Sequence, residues 1–274
     1  MKRRSITQLF IALLCLGIQL RHTAGTPQFP GNILTEKDQS EMVLVPAGSF
    51  VYGITLQERK KLLKQLNTAD LEVFKTESPR ETKSTDAFYI DKYEVTNGQY
   101  EKFLRETGYS RKPQFSKDRL FRDSQQPVVG IGWEDARSYA RWAGKRLPSE
   151  EEWEKAARGT DGRIWPWGNT VTGKEYNGKQ QGRYAPARVG SFPEGKSPYG
   201  AMDMAGNVYE MTTGIWNGTE RAMRGGSFLN SAAYTMTVFR WAPDDSVNGA
   251  SWLGFRCVLD ARSMGTLKTR ILKN

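Results

Sequence analysis

Two short strings near the C-terminal end constrain this chain most: Arg224-Gly225-Gly226-Ser227-Phe228 and Gly254-Phe255-Arg256-Cys257. Each places glycine beside a large or charged side chain. Adjacent glycines reach backbone conformations closed to other residues, so such strings mark tight turns and close backbone approaches. Composition points the same way. The 274 residues include 27 glycines, 12 prolines and 8 tryptophans. That length suits one large domain or two small ones, rich in loops, with a core that leans on aromatic rings.

The first 25 residues read as a secretory signal peptide. Lys2, Arg3 and Arg4 form a basic start, Leu9 to Leu20 is an apolar run too short for a stable bilayer span, and Thr23-Ala24-Gly25 offers small residues for cleavage. An uncleaved N-terminal anchor is the alternative, and the only route to a membrane. Acylation at Cys15 is disfavoured by the bulky Leu14 before it. Without the leader the chain carries 36 basic and 30 acidic residues, a net of +6. No dense Lys/Arg run interleaved with aromatics appears, which excludes a nucleic-acid partner. The only histidine, His22, lies in the leader, and Cys257 is the one cysteine beyond it. A histidine metal site, a Ser-His-Asp triad, a two-thiolate metal site and an internal disulfide are thereby all excluded.

Residues 26–40 read as a linker and 261–274 as a basic tail, with one domain at 41–260. Residues 41–50 open that domain as a strand running into a turn. Thr55 and Glu58 are spaced as a capping box for a helix to Asn67, with Leu62, Leu63 and Leu66 on one face. Residues 68–86 read as an irregular surface excursion, followed by a short strand over 87–90. Tyr100, Phe103 and Leu104 share a face of a second helix. Ala136, Tyr139, Ala140 and Ala143 line a third, stopped at Gly144. Ser149 and Glu152 form another capping box, so the acidic run Glu150-Glu151-Glu152 reads as helix capping. Beyond Gly159 the pattern is loops and short strands.

Several stretches, in order, resemble the formylglycine-generating enzyme (sulfatase-modifying factor) family. They are residues 45–50, Tyr93-Glu94-Val95-Thr96-Asn97, residues 144–159, Trp165-Pro166-Trp167-Gly168, residues 204–210, Arg224-Gly225-Gly226-Ser227 and Gly254-Phe255-Arg256. The resemblance spans residues 41–258. It implies an α+β domain of the complex C-type-lectin-like type, low in regular secondary structure. In the family's enzymes two copper-binding catalytic cysteines lie between the last two motifs. Here those positions fall at Asn230 and at Thr235 or Met236. Copper(I) needs soft thiolate ligands, so no copper is expected and the oxidase activity is argued against. Ser227 matches an active-site serine but has no histidine to activate it.

The resemblance also implies a calcium ion on side-chain oxygens of Asp203 and Glu210 and on the carbonyls of Gly206 and Val208, oxygen ligands that calcium prefers. The alternative is that both acids cap backbone groups. A second calcium site would use Asn177, but its acidic ligand falls near Gln181, which brings no charge. Other branches of the family lack the cysteine pair. One acts in the periplasm in siderophore chromophore maturation; another displays variable side chains between the last two motifs. Here that interval holds Asn230, Tyr234, Met236, Arg240, Trp241, Asp244, Asp245, Asn248 and Trp252. Tyr234, Arg240, Trp241 and Trp252 are the candidate ligand contacts, although aromatics are as often packing residues. The expected role is binding or scaffolding at the cell envelope, in the periplasm or at the surface, toward an envelope protein or glycan. The alternative is a periplasmic enzyme modifying a peptide or sugar-containing substrate.

Overall fold

The computed structural model describes residues 29–66, 78–216, 220–242 and 249–272. The expected leader and the ligand-face residues Asp244, Asp245 and Asn248 lie outside them. The fold is α+β, as the alternation of apolar stripes and turn residues implies.

A five-stranded antiparallel sheet forms one side. It is built from β1 (Ile33–Thr35), β2 (Glu41–Val45), β5 (Phe88–Asp91), β10 (Val258–Asp260) and β11 (Thr269–Ile271), in the order β10-β5-β2-β1-β11. Strands β1 and β11 come from the stretches read as linker and tail, so the sheet reaches past both boundaries placed at 41 and 260. Short strands with few apolar residues carry little periodicity, and only pairing reveals them. The excursion at 68–86 likewise ends in β4 (Glu81–Thr85), which pairs with β3 (Gly48–Tyr52) as a separate two-stranded ribbon.

Side-chain alternation gives the large sheet two buried faces. Val43, Val45, Phe88, Ile90 and Val258 pack on one side against Trp153, Ala156 and Ala157 of α4 (Glu150–Arg158). Ile33, Met42, Tyr89 and Leu259 form a second cluster. Helix α1 (Leu56–Gln65) starts at the Thr55–Glu58 capping box, and α2 (Asn97–Thr107) starts at a box made by Thr96 and Gln99. Helix α3 (Trp133–Trp142) buries Ala136, Tyr139 and Ala140 completely. Gly144 follows it at φ 73°, the left-handed stop that glycine permits.

A third sheet positions the site. It contains β6 (Tyr209–Trp216), β7 (Glu220–Arg224), β8 (Arg240–Trp241) and β9 (Leu253–Gly254), in the order β8-β7-β6-β9, with β6 and β9 parallel. Its register pairs Glu210 with Arg224 and Arg224 with Arg240 on one face, and Met223 with Trp241 on the other. Among the described residues no helix is long and apolar enough to cross a membrane.

Candidate functional site

Strand β7 ends at Arg224 and the chain turns through Gly225 (φ 92°) and Gly226 (φ 72°). A Cβ on Gly226 would lie 2.6 Å from the Tyr234 carbonyl oxygen and 2.8 Å from Thr235 Cγ2. Glycine there lets the segment around Tyr234 and Thr235 fold back onto the turn. The turn carries Ser227 and Asn230, and the segment folded against Gly226 carries Thr235.

These residues bond to their own turn. The Ser227 hydroxyl donates to Asn230 Oδ1 at 2.7 Å, and the Ser227 amide donates to the same oxygen at 2.9 Å. The Asn230 amide closes the loop onto the Ser227 carbonyl at 3.0 Å. Thr235 Oγ1 donates to the Ala232 carbonyl at 3.1 Å, and Met236 is fully buried in the main core. No general base reaches Ser227 in this set, and its oxygen donors are not the soft ligands copper(I) requires. The one cysteine of the domain, Cys257, is fully buried beside Asp91. Burial, reinforced by that carboxylate, pushes its thiol far up, away from a thiolate nucleophile.

The aromatic candidates converge next to this turn. Trp241 stacks on Trp252 with centroids 5.3 Å apart, and Tyr209 meets both at 5.3 and 5.5 Å. Tyr234 packs edge-on against Phe239 at 5.3 Å. Tyr234, Trp241 and Trp252 are only partly buried, while Tyr209 and Phe239 beneath them are buried. Arg240 is not part of this group. Successive side chains of a strand point to opposite faces, so Arg240 turns away from Trp241. It pairs with Glu150 at 3.2 Å, donates to Ser78 Oγ at 2.8 Å and covers the Trp216 ring at 4.0 Å.

The expected calcium site is not there. Among the described residues no three His, Cys, Asp or Glu side chains come together as a metal-binding group. The reason lies in Glu210. Its Oε2 accepts from Arg256 Nε at 2.6 Å and from Trp153 Nε1 at 2.7 Å, and its Oε1 accepts from Arg256 Nη2 at 2.7 Å. A guanidinium therefore occupies the side of the carboxylate that a cation would take. The Gly206 amide donates to the Gly225 carbonyl, and Val208 is core. Asp203 accepts the Gly190 amide at 2.6 Å, the backbone-capping alternative. The second site fares no better. Asn177 donates to Asn207 Oδ1 at 3.0 Å and Gln181 to the Gly173 carbonyl at 2.6 Å.

Sequence reading missed the buried ion network. Arg224 pairs with Glu154 at 2.5 Å and Glu150 at 3.4 Å, and Glu154 also takes Arg158 at 3.0 Å. Glu150 is thus an ion-pair partner, and only Glu152 closes the capping box. A second buried cluster joins Lys145 to Asp38 and Asp91, both at 2.8 Å. Glu94, in the Tyr-Glu-Val-Thr-Asn string, is a third buried acid. Asn207 donates to its Oε1 at 3.0 Å, while its Oε2 has no partner among the described residues. Burial, and then the negative charge of Asp203, pushes the Glu94 carboxyl well above its usual range. Acids inside motifs were the available signal, but sequence does not say which basic group each one meets.

With this geometry in place, the comparisons are specific. The sulfatase-modifying factor enzyme 1-like domain matches residues 31–261. The formylglycine-generating enzyme of Mus musculus is 29% identical over 298 residues, covering 81% of this chain and 75% of that protein. The uncharacterized protein YfmG of Bacillus subtilis is 30% identical, covering 84% of this chain and 57% of YfmG. Among solved structures, PvdO from Pseudomonas aeruginosa superposes with a TM-score of 0.68 at 26% identity, covering 85% of this chain and 99% of PvdO. The Treponema denticola variable protein 1 shares the fold, with a TM-score of 0.61 at 19% identity over 86% of this chain and all of that one. The chain belongs to the sulfatase-modifying factor (formylglycine-generating enzyme) family, as a member without the cysteine pair.

Proposed function

We propose that this is an exported binding or scaffolding domain of the cell envelope, in the periplasm or at the surface, holding an envelope protein or glycan on the face of Tyr234, Trp241 and Trp252. The reading adopts the finer C-type-lectin-like description of the fold. One observation carries it. The catalytic positions of the family are spent on mutual turn hydrogen bonds between Ser227 and Asn230, while a stacked and partly exposed aromatic cluster lies beside them. Flat rings offer large contact area at little conformational cost, and stacked pairs suit sugar faces and peptide side chains alike. The basic, apolar and small-residue stretches of the first 25 residues support export.

The test compares the mature protein with Tyr234→Ala and Trp241→Ala for binding to isolated envelope polysaccharides and envelope proteins. Both variants should remain folded by near-ultraviolet circular dichroism and lose at least about tenfold in affinity, because a few aromatic anchors dominate such interfaces. Unchanged affinity in both would sink the proposal. A parallel incubation with a sulfatase-type cysteine peptide, with and without copper, should yield no aldehyde by mass spectrometry.

A further inference from the structure

The loop that follows α2 is strongly basic. Residues 108–122 hold Arg111, Lys112, Lys117, Arg119 and Arg122 against one acid, Asp118. That surplus of four is most of the +6 carried beyond the leader. The neighbouring acids already have partners. Asp118 accepts the Leu120 amide at 2.9 Å, Asp123 pairs with Arg188 at 2.7 Å, and the buried Asp135 takes Arg111 at 3.4 Å. Lys112, Lys117, Arg119 and Arg122 are exposed and pair with no acid among the described residues, and neither does Arg105 of α2. Arg105, Lys112 and Arg122 converge on a cleft of about 350 Å³ between the helix and the loop, whose wall carries one acid, Glu101. Like charges gathered on one surface repel, and an anion relieves that repulsion.

The same loop is bound to the segment that carries Trp252. Phe115 and Phe121 meet with ring centroids 5.2 Å apart, and Phe115 and Trp252 both pack against the cluster that buries Phe121. The Gln114 amide donates to the Gly130 carbonyl at 3.0 Å, and the Gly130 amide donates to the Ala250 carbonyl at 3.1 Å. Gly249 has φ 86°, and a Cβ there would lie 2.7 Å from Gln114 Nε2, so the chain just before Trp252 is in close contact with the loop. The unmatched cations and the Trp241–Trp252 stack are therefore carried by two segments locked together.

We infer, on the reading of Tyr234, Trp241 and Trp252 as a binding face, that the partner is an acidic oligosaccharide bearing carboxylate or sulfate groups. Its sugar rings lie on the tryptophan stack and its anionic groups pair with Arg105, Lys112 and Arg122. Flat aromatic rings suit the apolar faces of sugars. A guanidinium fork matches a carboxylate, and an ammonium serves as a point charge for either oxyanion. The cleft volume falls within the range of small-molecule sites. A recess joined to a ring platform fits a chain of charged sugars better than the broad plane of a bilayer.

The experiment is calorimetric titration of the mature protein with hexagalacturonate, its methyl ester, a heparin-derived hexasaccharide and vesicles of phosphatidylglycerol. One or both acidic hexamers should give a saturable heat. Methyl esterification keeps the sugar rings and removes the charge. It should weaken binding at least about tenfold, as should salt at about 0.5 M, which screens exposed charges. Lys112→Ala combined with Arg122→Ala should cause a comparable loss for the acidic hexamer and leave the ester unchanged. Lys60→Ala combined with Lys61→Ala, at two exposed positions of α1, should leave both unchanged. Trp241→Ala should weaken both. If acid and ester bind equally and both need Trp241, the aromatic face stands and the acidic assignment falls. If the acid binds without need of Trp241, the aromatic reading falls and the joint site with it. Equal loss from the α1 pair, binding of vesicles alone, or no saturable heat from any hexamer at millimolar concentration overturns the acidic glycan and leaves the aromatic face to be judged by its binding to envelope proteins.

Discussion

The β6–β9 sheet carries charge on one face and aromatic rings on the other. Glu210, Arg224 and Arg240 lie side by side across the first face, with Glu150 and Glu154 of α4 and Arg256 among their partners. Tyr209, Met223 and Trp241 occupy the second, with Trp252 stacked on Trp241 and Phe239 buried against Tyr209. The first face is closed. Arg224 and Arg240 sit directly across the ladder, a like-charge pair that would repel, and both reach the carboxylate of Glu150. The second face is partly open and made of neutral rings. Buried ion pairs specify one arrangement at the expense of desolvation, whereas rings with exposed edges can accept more than one partner. The pleat of one sheet thus separates a closed, charged face from a partly open, aromatic one.

The sharpest way to break that comparison is to remove charge from the closed face. Glu210 accepts three hydrogen bonds from two buried groups. Glu210→Ala leaves the Arg256 guanidinium buried and unpaired, and should cost about 3–5 kcal/mol in chemical denaturation. Such a loss consumes much of the stability of an ordinary domain. A loss below about 1 kcal/mol would mean that the ion pair is not what fixes this face.

Most of the scaffold was legible in the sequence because it is local. Capping boxes at Thr55 and Ser149, the alanine stripe of α3 and the Gly144 stop are each written within a few residues, and all are present. The positions of Ser227, Asn230 and Thr235 were named from the resemblance alone; in the structure Ser227 and Asn230 bond within one turn and Thr235 bonds to the Ala232 carbonyl. What stayed hidden depends on partners far apart in the chain. Arg256 meets Glu210 across 46 residues and Lys145 meets Asp38 across 107. The calcium expectation failed for that reason: Asp203 and Glu210 have the right oxygens, but sequence does not show that an arginine takes one of them. Lys155 makes the point in another way. Its ammonium donates to the carbonyls of Pro46 and Gly48 at 2.6 and 2.8 Å, so two motifs that read as separate strings are one contact.

A second, smaller effect concerns the edge of the charged face. Burial raises the Asp203 carboxyl to about 6, against the ordinary aspartate value near 4. The folded protein thus holds this proton more tightly than the unfolded chain. Its contribution favours folding below pH 4, declines as pH rises from about 4 to 6, and leaves a buried negative charge above that. Asp203→Asn removes the titration, keeps an acceptor for the Gly190 amide, and suits the φ of 57° because asparagine tolerates left-handed backbone. Relative to the parent, its melting temperature should gain steadily between pH 4 and 6 and stay at or above the parent at pH 7. A difference that does not change with pH would show that Asp203 is ionised throughout.

The smallest expected effect lies at the position where catalysis would place the greatest demand. In an enzyme that used Ser227, its removal would abolish turnover; here the hydroxyl bonds to Asn230 and takes the Leu229 amide. Ser227→Ala deletes the bond to Asn230 Oδ1 at 2.7 Å and the longer one from the Leu229 amide at 3.3 Å. The turn keeps two backbone links, from the Ser227 amide to Asn230 Oδ1 and from the Asn230 amide to the Ser227 carbonyl. The cost should be about 1 kcal/mol, the net worth of a neutral hydrogen bond, seen as a fall of about 2–4 °C in Tm for a domain of this size. Binding through Tyr234 and Trp241 should survive, because the glycines that admit the 234–235 segment are untouched. If Ser227→Ala instead leaves stability intact but removes a ligand or an activity, the turn itself is a working site, and the proposed binding through the aromatic face does not account for function.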